Sequence, residues 1–268
     1  MFSKDILVRQ LQDHIWHSGL IFGAALLAGA LNGVAGGGSF ILFPALLFVG
    51  IPPIPANATN TLALLPGTLA SAGAYYQEFK QSRRDLVRLC SIGTVGGLLG
   101  AILLLKTPPK TFMVVLPYLL LLATGLFAFS PQLTRWLTSQ QQRFGQMQKF
   151  IGWLIPVIQL VISMYGGFFG GGMGILFLAT FALMGIGTIH RMNAFKTALT
   201  SCINAVAVIP FAISGVIWWR EAVITALGAA LGGFLSAHYA QKIAPVVVRR
   251  FVIVVGTLLT VYFFVISR

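Results

Sequence analysis

Two glycine triplets carry the chemistry most readily seen in this sequence. Gly36-Gly37-Gly38-Ser39 opens the apolar run Phe40-Ile-Leu-Phe43, and Gly170-Gly171-Gly172 opens Met173-Gly-Ile-Leu-Phe177, 134 positions later. Each triplet is expected to end one helix and start another. The N–H groups of Gly38, Ser39 and Phe40, and of Gly172, Met173 and Gly174, would then lack helical acceptors and face into the break. The positive end of a helix attracts anions, and a glycine-rich loop opening a helix can cradle phosphate or sulfate. Glycines also let helices approach closely, and the spacings Gly29/Gly33, Gly33/Gly37, Gly93/Gly97 and Gly228/Gly232 suit that role. Anion site and close packing both stand as readings of the triplets.

A second pair of motifs follows the triplets. Asn57-Ala-Thr59-Asn60-Thr61 aligns with Asn193-Ala-Phe-Lys196-Thr197, 136 positions on. Asn57 and Asn193 are expected as helix N-caps. Thr59, Asn60, Thr61 and Thr197 add neutral donors that suit an oxyanion, and polar side chains entering an apolar helix are costly unless satisfied. Each motif is therefore expected to cap a helix and line a site. Lys196 falls near the positive end of a helix, where a cation needs an anion to offset it. A bound substrate anion is one candidate and a carboxylate from a membrane edge another; the alternative is that the side chain snorkels to the aqueous interface. Arg191 is read as a topology residue.

Other chemistries find no purchase. The chain has no HExxH, GxSxG or P-loop pattern and no paired intramembrane aspartates, so no enzyme activity is expected. Cys90 and Cys202 lie in apolar segments without CxxC or Cys/His spacing, so neither a metal nor another cofactor is expected. The five acidic residues, Asp5, Asp13, Glu78, Asp85 and Glu221, all avoid the middle of apolar stretches. The usual carboxylate coupling devices of pumps and symporters are thus without a candidate. His238 could titrate, yet a lone histidine in an apolar segment is more simply a packed one.

The elements that must position these motifs are membrane spans. Of 268 residues 57% are hydrophobic and 9% charged, against roughly a quarter charged in soluble domains. No Asp, Glu, Lys or Arg occurs in 18–77, 150–190, 197–219 or 222–241. About 20 apolar residues suffice to cross hydrocarbon. A multi-pass protein of the inner or plasma membrane is expected, with lipid around it. The net charge of +13 is gathered in short clusters between apolar segments, as topology signals are, so nucleic acid is not an expected partner. The first apolar run is too long for a cleaved signal and reads as a retained span.

The two motif pairs mark a duplication. A polar segment, 1–17, precedes a first transmembrane repeat at 18–130; a polar connector at 131–149 leads to a second repeat at 150–268. Each repeat divides into five pieces, near 18–35, 39–50, 57–78, 86–105 and 111–130, and near 150–169, 173–185, 193–218, 222–241 and 246–266. The second piece of each is too short to span, as a broken or re-entrant helix would be. The expected fold is an all-α polytopic membrane protein of about 8–10 segments. Basic clusters fall between pieces three and four in the first repeat, and between four and five in the second. Equivalent loops then face opposite sides and the repeats are inverted; Lys106 and Lys110 oppose this, so a parallel arrangement stays open. Inverted repeats around broken helices are the plan of many secondary transporters.

The segment 36–61, GGGSFILFPALLFVGIPPIPANATNT, and its weaker second copy at 170–197 resemble the sulfite exporter TauE/SafE family of bacterial membrane transporters. The resemblance implies carriage of small sulfur-containing anions, such as sulfite or organosulfonates, by two related halves. Leu178 stands where the first copy has Pro44, and Met173 where it has Ser39, so the second triplet carries less of the motif. The expected function is a secondary transporter, an exporter, working by alternating access. The substrate would sit at Gly36, Gly37, Gly38, Ser39, Asn57, Thr59, Asn60, Thr61, Gly170, Gly171, Gly172, Asn193, Lys196 and Thr197. The alternatives are a membrane scaffold or assembly subunit without transport, a carrier of another small organic anion, and a channel. A homo-oligomer is compatible with each.

Overall fold

The apolar pieces fold as helices that stop where glycine or proline intervenes. A computed structural model describes residues 2–34, 37–74, 83–139, 154–184, 186, 189–239 and 245–266. The first half comprises α1 (Phe2–Val34), α2 (Ser39–Phe48), α3 (Pro53–Ala74), α4 (Arg83–Lys106) and α5 (Pro109–Ser139). The second comprises α6 (Leu154–Phe168), α7 (Met173–Leu183), α8 (Ile189–Ile213), α9 (Trp219–Tyr239) and α10 (Pro245–Ile266). Among the described residues there is no strand. The protein is an all-α polytopic membrane protein.

Local chemistry accounts for several boundaries. Pro53, Pro109 and Pro245 each occupy the first position of a helix, where the missing N–H costs nothing and the fixed φ already suits the helix. Asp85 and Glu221 lie in the first turns of α4 and α9, and Lys106 in the last turn of α4, each favoured by the helix dipole. The polar stretch before residue 18 does not stand apart: α1 begins at Phe2 and runs without interruption into the first apolar segment.

The halves are intertwined. The first helix of each half lies against the fourth helix of the other, α1 on α9 and α6 on α4. The third helices, α3 and α8, meet each other, and each also packs on the fourth helix of the opposite half, α3 on α9 and α8 on α4. The short helices follow the same exchange, with α2 touching α10 and α7 touching α5. Glycine makes the close approaches possible. A Cβ on Gly228 or Gly232 of α9 would strike the carbonyl oxygens of Phe22 or Leu26 in α1, and one on Gly100 of α4 would strike the carbonyl of Met164 in α6. The glycines of the fourth pieces thus serve packing between halves.

The outer surface is apolar. Leu99, Leu121, Val161, Leu227, Phe234 and Leu258 are all exposed, while Asn57, Thr59, Asn60, Gln159 and Ser163 are buried. That distribution suits hydrocarbon as the solvent. Among the described residues three helical stretches, Arg83–Lys106, Pro109–Ser130 and Arg191–Ile213, are long and apolar enough to cross a membrane on length and composition. Trp218 and Trp219 are exposed at the start of α9, Trp136 near the end of α5, and Trp16 just ahead of the first apolar segment. Indole rings favour such interfacial positions; Trp153 lies outside the described residues.

Candidate functional site

Both expected breaks exist, one between α1 and α2 and the other between α6 and α7. Gly37 has φ +97° and Gly172 φ +76°, a region that side chains with a Cβ disfavour. The breaks meet the same wall. Gly37 faces the Phe127 ring and Gly172 faces Ala123, both on α5. Gly36 lies outside the described residues.

The amides at the breaks are only partly open. Gly38 donates to Asn32 Oδ1 at 3.4 Å, Phe40 to the Gly37 carbonyl at 3.0 Å, and Met173 to the Gly170 carbonyl at 3.4 Å. This corrects the expectation that all six amides would face the break: one tight turn at each tip engages the amide three positions on. The N–H groups of Ser39, Gly172 and Gly174 have no acceptor among the described residues.

Between the breaks lies a small cavity. It is lined by Ser39, Phe40 and Phe43 of α2, Asn57 and Asn60 of α3, Leu120 of α5, and Phe169 and Gly171 of the second break. Its volume is about 10 Å³, room for about one water molecule. A larger solute needs the walls to part. The Asn60 amide donates to Ser39 Oγ at 3.1 Å, and the Asn57 amide donates to the Phe168 carbonyl at 3.0 Å. Phe43 and Phe169 meet edge to face across the halves, with centroids 6.0 Å apart. Asn60 is 2% exposed, and its Oδ1 is buried without a partner among the described residues.

The N-cap expectation for Asn57 and Asn193 is wrong. α3 starts at Pro53 and α8 at Ile189, so both asparagines lie in the second turn. Proline in the first helix and the Ile-His-Arg run in the second begin the helix earlier. The asparagine side chains are consequently released from capping their own helices. Thr61 donates to the Asn57 carbonyl at 2.9 Å and Thr197 to the Asn193 carbonyl at 2.8 Å, the same bond in both halves.

The expected site residues divide into two groups. Ser39, Asn57, Asn60 and Gly171 line the cavity, with Gly37, Gly38, Gly170 and Gly172 in the adjoining breaks. Asn193, Lys196 and Thr197 are not among the lining residues. Lys196 Nζ donates to Asn193 Oδ1 at 3.0 Å, and its aliphatic stem lies against Gly174, where a Cβ would come within 3.2 Å of Lys196 Cδ. Thr59 turns away from the cavity and accepts the Trp218 N–H at 3.1 Å. Phe40, Phe43, Leu120 and Phe169 also line the cavity, and nothing in the sequence distinguishes them from other apolar positions. Tyr165 escapes the sequence reading too, although its hydroxyl donates to the Gly171 carbonyl; a phenol three turns into an apolar segment is the available signal. The side chain of His238 lies outside what is described.

Comparison with known proteins agrees with this architecture. The sulfite exporter TauE/SafE family matches residues 21–263. A "Probable membrane transporter protein ORF9" of Sinorhizobium sp is 26% identical over 94% of this chain and 94% of its own length. A "Probable membrane transporter protein" of Haemophilus influenzae is 27% identical over 90% of this chain and 92% of its own. The "Probable membrane transporter protein YfcA" of Escherichia coli K12 is 22% identical over 90% of this chain and 87% of its own. No solved structure matches the chain. With the match spanning nearly the whole helical bundle, the chain belongs to the sulfite exporter TauE/SafE family of multi-pass membrane transporters.

Proposed function

We propose that this protein is a secondary transporter that exports small sulfur-containing oxyanions, such as sulfite or organosulfonates, by alternating access of two inverted repeats. The observation that carries the proposal is the cavity between the two glycine breaks, where both halves contribute lining residues and neutral donors gather. Once the walls part, Asn57, Asn60, Ser39 and the open amides could hold an oxyanion without a strong fixed charge, so that it binds and is released. Lys196 with Asn193 offers a second station in the other half, where a half-buried cation attracts the anion on its way to or from the cavity. The exchange of helices between halves supports a mechanism in which one half tilts against the other, widening the cavity as it does so.

The experiment is counterflow of sulfite and of organosulfonates into liposomes holding the purified chain. Asn60→Ala and Lys196→Ala are expected to slow transport at least about tenfold, the effect of losing one or two hydrogen bonds. Unchanged transport in both variants would remove the residue assignment. Absence of any transport by the unmodified chain, with no stabilisation of it by anions, would favour a scaffold instead.

A further inference from the structure

None of the residues lining the cavity is ionisable. The cost of stripping water from an ion rises with the square of its charge, and without a fixed counter-charge the interior returns little of it. A dianion is therefore far worse matched to this cavity than a monoanion. The second observation is the polarity of the lining. The Ser39 hydroxyl accepts from the Asn60 amide and so has its own proton to give. Asn60, with its nitrogen thus engaged, retains a buried oxygen with no donor. A buried acceptor left alone is costly. An anion made only of acceptor oxygens would satisfy Ser39 and leave the Asn60 oxygen facing another oxygen. Tyr165, the nearby phenol, does not supply the missing proton, since its hydroxyl is directed to the Gly171 carbonyl.

We infer that the cavity selects a singly charged oxyanion that carries its own O–H, accepting from Ser39 and donating to Asn60 Oδ1. The inference rests on the carrier function proposed above and names the protonation state of its substrate: hydrogensulfite rather than sulfite.

The test is thermal stability of the purified full-length chain in detergent, titrated with hydrogensulfite, methanesulfonate and sulfate. Methanesulfonate matches the charge and lacks the O–H; sulfate is a dianion. Hydrogensulfite is expected to bind at least about tenfold tighter than either, the worth of about one hydrogen bond. The apparent affinity for total sulfite should fall as rising pH removes the proton, while that for methanesulfonate should hold across the same range. Asn60→Leu, close in shape and without polar atoms, should level hydrogensulfite and methanesulfonate. Equal binding of these two by the unmodified chain would mean that Asn60 presents its amino group, and would overturn the inference while leaving the carrier function standing. Tight sulfate binding, or a sulfite affinity indifferent to pH, would also overturn it. Binding of none of the three would remove the carrier function itself. The ligand series on the unmodified chain decides the matter even where the variant fails to fold.

Discussion

The Asn57 side chain donates to the carbonyl oxygen of Phe168 at 3.0 Å, across 111 positions of sequence. Phe168 is the last residue of α6, so its carbonyl is one of those a helix end leaves without an intrahelical partner. A residue of the first half thereby terminates a helix of the second, beside the cavity that both halves line.

Asn57→Leu removes that donor while keeping the volume. The Phe168 carbonyl would be left in an apolar setting at a cost of about 1–3 kcal/mol, read as a lower midpoint of thermal unfolding in detergent. An unchanged midpoint would show that water or another donor replaces the amide.

Ser39→Ala removes the acceptor of the Asn60 amide. With both the nitrogen and the oxygen of Asn60 then unpartnered, a loss of about 1–3 kcal/mol is expected, together with slower transport. Ser39→Thr, which retains the hydroxyl, should recover most of the stability.

Lys196→Met separates function from folding. Among the described residues its hydrogen bond goes to Asn193 Oδ1, and an apolar side chain of similar length in place of this half-buried lysine removes the cost of partly desolvating its charge. Thermal stability should hold or rise while anion transport falls. Loss of both would make the lysine a structural residue.

Gly232→Ala should destabilise by about 1–3 kcal/mol through overpacking, because its Cβ would meet the backbone of Leu26 on the opposite half. Gly125→Ala is the control. Nothing lies within 4 Å of a Cβ there, and alanine in a helix is favoured over glycine by about 0.5–1 kcal/mol. Similar midpoints for the two variants would contradict the close α1–α9 approach.

Cys90 on α4 and Cys202 on α8 are free, partly buried thiols on two helices that pack against each other. A copper(II)–phenanthroline oxidant, taking up two electrons as two thiol protons leave, should join them. The product is expected to lose two hydrogens by intact mass and to resist alkylation until reduced. Free alkylation of both thiols after oxidation would count against the α4–α8 contact.

Much of the helical plan is legible along the chain, and for a physical reason. Hydrocarbon demands long uncharged helices, and glycine triplets mark where a helix can stop, so most helical pieces are expected within several residues of where they occur; α1, which starts at Phe2, and α5, which runs on to Ser139, extend well past their apolar stretches. The starts of α3 and α8 escape this reading because asparagine is a good cap, yet Pro53 and the residues from Ile189 on have already begun the helix one turn earlier. The grouping of the site is also hidden. Asn57 and Asn193 occupy matching places in the two halves, but one reaches the opposite half at Phe168 and the other pairs with its own Lys196.

By itself the sequence determined that the chain is an all-α multi-pass membrane protein with two glycine triplets and a small set of polar residues after each, because composition, hydropathy and motif spacing are properties of the chain. Only the tertiary structure decided that α1 and α6 cross to the opposite halves, that Ser39 and Gly171 border one cavity, that Thr59 turns away from it, and that Asn60 retains an oxygen without a donor. Those facts depend on which surfaces meet, and close approach between distant segments is set by backbone geometry at glycines whose partners no local pattern names.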